Sequence, residues 1–226
     1  MSHAYVSLSG VQKMPRADVW AAIHRERAVL ADELAELTPD QWAVPSLCGR
    51  WTVEEVVAHL TAAASTGRWR WIRSMAGARF DPDRHNQRRM MEYRGSGPAD
   101  TLARFRAVVT STTAPSGHIP AWLGEVVVHG QDIRRPLGLS GVPELTAVTE
   151  VARFFAGRDF TVAGRTVRAG VHLVATDGPF EIGTGPEARG STLALVMAMA
   201  GRAGYCDELT GPGAATLRAR IAGRHR

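Results

Sequence analysis

After Pro15 the apolar positions Val19, Ala22, Ile23, Val29, Leu30, Leu34 and Leu37 recur at intervals of three and four, which predicts an amphipathic helix. Thr38-Pro39-Asp40 stops it, and Trp42 to Trp51, with Pro45 and Gly49 inside, reads as a connecting loop. Thr52 and Glu55 then form a T-x-x-E capping box, so a second helix begins near Val53. Its face gathers Val56, His59, Leu60 and Ala63, and the pattern predicts that it runs through Arg68 to Arg73 and breaks near Gly77. Between Pro82 and Thr113 the spacing predicts a short helix and, after Gly95-Ser96-Gly97-Pro98, a longer one capped near Asp100. Pro120 opens another helix, which Pro136-Leu137-Gly138 closes. Four long helices with short links describe a bundle.

From Pro143 a further helix is expected to about Gly157, and beyond it the texture changes. Thr161 to Val167, Val171 to Thr176 and Phe180 to Gly183 are short, partly β-branched runs between Gly, Asp and Pro, which are strand signals. Ser191 to Arg202 and Ala214 to Ile221 read as helices. The fold expected is therefore α+β and mostly α: a helical bundle over residues 1–142 and a small α+β domain over 143–226.

A length of 226 residues with 45% hydrophobic content supplies a real core. No apolar run approaches the roughly 18–20 residues that span a bilayer, and the first residues lack a charged segment leading into an apolar one. A cytoplasmic location, away from membranes, is the expectation, and the two cysteines, Cys48 and Cys206, give no disulfide framework. The net charge of +5 invites a nucleic-acid reading, but Lys13 is the only lysine, so the surplus is arginine. Together with abundant Ala and Gly that bias follows GC-rich codon usage and says little about partners.

Three residues in otherwise apolar stretches carry candidate chemistry. His59 lies in W-T-V-E-E-V-V-A-H-L, and Glu125 and His129 lie in G-E-V-V-V-H-G-Q-D-I-R-R. Residues four apart share a helix face, so Glu125 and His129 can clamp one ion, and His59 from another helix makes a third ligand. The competing account is two satisfied core histidines and a salt-bridged glutamate. Against it, no Lys or Arg stands three or four residues from Glu125, and a buried carboxylate without a cation is costly. Spacing leaves both open.

Asp132, one turn past His129, is either a solvated carboxylate or an acceptor that orients a ligand imidazole. Cys48, in P-S-L-C-G-R-W, is either an inert thiol or a metal neighbour. The run R-W-R-W-I-R (Arg68 to Arg73) interleaves cations and aromatics as single-strand binders do. An amphipathic helix end, with arginines snorkelling past buried tryptophans, explains it more simply. Arg84, Arg88 and Arg89 read as a solvated face, or else as the mouth of a pocket for an anionic ligand.

The two motifs around His59 and Glu125/His129 resemble the DinB-type four-helix bundle of the mycothiol-dependent maleylpyruvate isomerase family. The stretch R-A-G-V-H-L-V-A-T-D-G-P-F-E-I-G-T-G-P-E-A-R-G-S-T-L-A-L-V-M-A-M-A-G-R resembles the small second domain of that family. The resemblance implies a divalent metal, usually zinc, on His59, Glu125 and His129. It also implies a role for Arg202 as anchor of a carboxylate-bearing substrate or thiol, although a cation at that helix end is favoured by the dipole alone. The activity implied is a transferase or isomerase that uses a low-molecular-weight thiol, with mycothiol foremost, as a metal-bound thiolate attacking a small electrophile. The alternative is a non-catalytic metal-binding module or a metal or thiol sensor. A fourth protein ligand, such as Cys48 or His85, would favour that alternative.

Overall fold

The periodicity after Pro15 becomes α1 (Arg16–Ala35) in the structure, a computed structural model that describes residues 14–49 and 51–224. Val19, Ala22, Ile23, Leu30 and Leu34 are buried as expected, but Val29 is half exposed and Arg27 is inside instead. The reason is hydrogen bonding: the Arg27 Nη1 donates to the Val108 and Ser111 carbonyls at 3.3 and 2.9 Å, satisfying the turns that follow α6 (Pro98–Arg106). Burial pulls that guanidinium down to about 10.

Thr52 caps α3 (Val53–Ser65) with the reciprocal bonds of a capping box, Glu55 N to Thr52 Oγ1 and Thr52 N to Glu55 Oε2. The expected continuation through Arg68 does not occur. Thr66 turns extended, its hydroxyl bonding back to the Ala62 carbonyl at 2.7 Å, and a separate α4 (Arg68–Gly77) starts after Gly67. The lengths expected next are also reversed: α5 (Pro82–Tyr93) is the longer helix and α6 the shorter. The last helix of this half, α7 (Ile119–Leu137), ends at Gly138, whose φ of 66° is a left-handed cap that a side chain would strain.

α1 packs on α7, α7 on α3, α3 on α6 and α6 on α1, which closes a four-helix ring. α5 adds to the far side of this set by packing on α3, and α4 packs on α5. Only Met75 of α4 is buried; Trp69 is 77% exposed, and Trp71 and Ile72 are exposed as well, so the tryptophans expected inside are outside. This half, Arg16–Pro143, is one compact unit, and a second unit begins at Glu144.

In the second unit α8 (Leu145–Gly157) packs on α10 (Thr192–Met199), both lined with Ala, Val and Leu. The strand expected over Thr161 to Val167 is absent: this stretch is a turn and the single-turn α9 (Gly164–Arg168). Gly164 sits where a Cβ would meet the Phe155 carbonyl at 2.6 Å, so the chain is pressed onto α8 rather than laid beside a strand. β1 (His172–Ala175) and β2 (Glu181–Ile182) match the other two runs and pair antiparallel. The third strand, β3 (Glu187–Gly190), pairs parallel with β1 and was not predicted. Its E-A-R-G sequence lacks β-branched residues, and Gly190 is needed because Leu209 would lie 2.5 Å from a Cβ there. After a 3₁₀ turn at Ala203–Glu208, α11 (Pro212–Arg224) completes the unit.

Candidate metal centre

α3 and α7 meet with His59 on one and Glu125 and His129 on the other. Both histidine Nε2 atoms address one carboxylate oxygen, Glu125 Oε2, at 3.4 Å from His59 and 3.3 Å from His129. The two imidazoles stand edge to face with centroids 5.0 Å apart. Four-residue spacing along α7 places the pair on one face, and the Thr52 cap fixes where α3 starts and so how His59 faces them.

These separations are long for a charge-assisted hydrogen bond, which runs about 2.7–2.9 Å. They are close to the edge of a tetrahedron of N and O ligands about 2.0–2.1 Å from a central ion, roughly 3.3 Å. Donor type, spacing and the shared focus therefore fit a divalent cation. The donor atoms of the three residues all lie within 4.8 Å of one another. Among the described residues no fourth donor lies within that distance of all three. Cys48 forms a second group with His129 and Asp132 only, and His85, buried on α5 beside the Trp71 ring, belongs to neither.

Around this set the two histidines are treated differently. Asp132, fully buried, takes a hydrogen bond from His129 Nδ1 at 2.9 Å, which leaves Nε2 as the free ligand nitrogen. Burial works against a charged ring, but the bonds to Asp132, Cys48 and Glu125 outweigh it and hold His129 well above the usual histidine range. His59 has only the Glu125 contact in its favour. Its Nδ1 is buried without a hydrogen-bond partner, the Trp51 ring lies over it at 4.9 Å between centroids, and desolvation keeps it below the usual range. At Glu125 burial pushes the carboxyl up, yet the bonds to His129 and His59 prevail and hold it far below the carboxylate range.

One helix detail brings Cys48 here. Pro136 has no N–H, so the Asp132 carbonyl four residues earlier loses its helical donor. The Leu47 amide fills that place at 3.0 Å, and the same loop is closed by Ser46 N and Oγ donating to the Trp51 carbonyl at 2.9 and 2.7 Å. The Cys48 amide donates to Ser46 Oγ at 3.0 Å, which leaves the thiol beside His129. Trp51 and the placement of Cys48 are what sequence reading did not find. The signal was present, because a proline one helical turn after Asp132 frees one carbonyl.

Arg202 lies in the second unit, at the end of α10, where its Nη1 donates to the Ala200 carbonyl at 2.7 Å. That is the bond a cation makes to the open end of a helix.

The geometry has relatives. Residues 23–116 match the family model described as the mycothiol maleylpyruvate isomerase N-terminal domain. That match runs from within α1 through α6 and holds His59, and it ends before α7 with Glu125 and His129. Two crystal structures share the fold, one of the mycothiol-dependent maleylpyruvate isomerase and one of a histidine-to-alanine mutant of it. Each superposes with a TM-score of 0.59 at 15% identity, over 88% of this chain and 93% of the other. No curated protein matches the chain in sequence. The resemblance read from the sequence motifs thus stands in the matched segment and in the fold.

Proposed function

We propose that this chain is a metal-dependent enzyme of the maleylpyruvate isomerase type that uses a low-molecular-weight thiol, mycothiol foremost, on a small electrophile. The observation that carries it is the three-donor set His59, Glu125 and His129 with no fourth donor among the described residues near all three. Three protein ligands and a free position are the pattern of catalytic rather than structural zinc. A divalent ion held there would supply a Lewis acid that favours the thiolate of a thiol whose own pKa is about 8.5.

The chain's residues do the rest. Asp132 keeps the Nδ1 proton on His129, so that ring stays in one tautomer and orientation. Trp51 and the apolar residues of α3 cover His59 and keep water from its face. Addition of a thiolate to a conjugated double bond, rotation and loss of the thiol gives cis–trans isomerisation; a stable adduct gives conjugation.

The test is turnover of maleylpyruvate and of a general electrophile with mycothiol, bacillithiol and glutathione, on metal-loaded protein. Thiol-dependent turnover is expected with at least one pair, and its absence across the set overturns the enzyme reading. The neighbouring Cys48 is the observation that favours a closed, non-catalytic metal module. Cobalt substitution separates the two readings: a thiolate-to-cobalt charge-transfer band, lost in Cys48→Ser, belongs to the closed site alone.

A further inference from the structure

α4 and α5 form a helical hairpin through the short turn 78–81, and an open cleft of about 340 Å³ lies between them. The size is that of a small-molecule site. Its walls are almost entirely cationic: Arg70 and Arg73 from α4, Arg88 and Arg89 from α5, with Ser74 beside them and Glu92 as the one carboxylate.

The charges do not cancel. Glu92 pairs with both Arg70 and Arg89, and Arg88 spends one nitrogen on the Gly77 carbonyl at 3.1 Å. Arg73 has neither a hydrogen bond nor an ion pair among the described residues, and the Arg89 Nε is buried without a partner. Packing like charges together costs free energy, and the single carboxylate of Glu92 stands against four arginines. No hydrophobic side chain lines the cleft.

We infer that the α4–α5 cleft is a binding site for a compact polyanion carrying two or more carboxylate or phosphate groups. Guanidinium forks from two helices suit oxyanions bidentately, and Ser74 adds a neutral donor. The assignment goes beyond the proposed metal chemistry and does not depend on it, because its readout is binding to protein as purified.

Calorimetric titration of the full chain at low ionic strength with pyrophosphate, and separately with tricarballylate, tests it. Saturable binding of one anion per chain is expected for at least one probe. Preference for the first assigns a phosphate ligand and preference for the second a carboxylate. Arg73→Gln is expected to weaken binding at least tenfold, and because Arg73 holds no other group the fold is not at stake. Arg84→Gln removes the same charge from the exposed face of α5 outside the cleft, and is expected to change affinity less than twofold. Absence of saturable binding with both probes, or equal weakening by the two variants, overturns the inference.

Discussion

His129 is held from two sides, by Asp132 at Nδ1 and toward Glu125 at Nε2, whereas His59 faces Glu125 at Nε2 alone and is otherwise steadied by packing against Trp51. The consequence is an order of importance among side chains that do not themselves face the shared focus. Removal of an orienting carboxylate behind a ligand histidine costs about 10–100-fold in metal affinity. Asp132→Ala is therefore expected to weaken zinc binding by that factor in a chelator competition, while His59→Ala and His129→Ala lose stoichiometric metal. Undiminished zinc affinity in Asp132→Ala would mean that the carboxylate only packs. Glu125 and His129 were legible as a pair because helical spacing is a local property. The bond between Asp132 and His129 was legible only as an option, since a carboxylate three residues on must bend back, and sequence does not say which way it bends.

Among the elements, those announced by a known capping or terminating pattern were readable and those decided by which way one side chain turns were not. Thr52 and Glu55 announce the start of α3, and Thr52→Ala is expected to cost about 1 kcal/mol in denaturant unfolding. The Pro136 effect on the Leu47 amide is local on one side and distant on the other. Pro136→Ala supplies a competing helical N–H to the Asp132 carbonyl, so faster hydrogen exchange at Leu47 is expected. By contrast, Thr161 to Val167 looks like a strand because of its β-branched residues, yet the Asp159 carboxylate takes the Thr166 amide at 3.0 Å and its hydroxyl at 2.8 Å and winds the segment into α9. The Thr166 amide, chiefly, holds Asp159 below its ordinary range. A carboxyl whose folded pKa is depressed stabilises the fold above its unfolded pKa, near 3.9, and loses that contribution as pH falls through the folded value. The stability gap between the parent and Asp159→Asn should be level from pH 7 to about pH 4 and close below it. A gap that closes at neutral pH would remove the carboxylate from the account.

At the scale of the molecule, arginine content that composition explains by codon usage turns out to be built into the first unit. Arg134 on α7 is 2% exposed, and its Nε donates to Glu33 of α1 at 2.8 Å, tying together two helices of the ring. Sequence gave no sign of this, because the partners are 101 positions apart and each looks like an ordinary surface charge. Gly141 lies close by: a Cβ there would overlap Glu33 Oε1 and fall 2.7 Å from Arg134 Nε, so the carboxylate would have to swing aside. A buried pair adds little net stability over an apolar one, but breaking it strands a desolvated cation. Glu33→Ala is thus expected to lower unfolding free energy by about 3 kcal/mol, the low end for such pairs because the carboxylate is partly solvated. Gly141→Ala should reproduce part of that loss by driving the carboxylate away, although it deletes no charge. If Glu33→Ala costs no more than an exposed ion pair does, under about 1 kcal/mol in urea unfolding, water reaches the guanidinium and the pair does not hold α1 to α7.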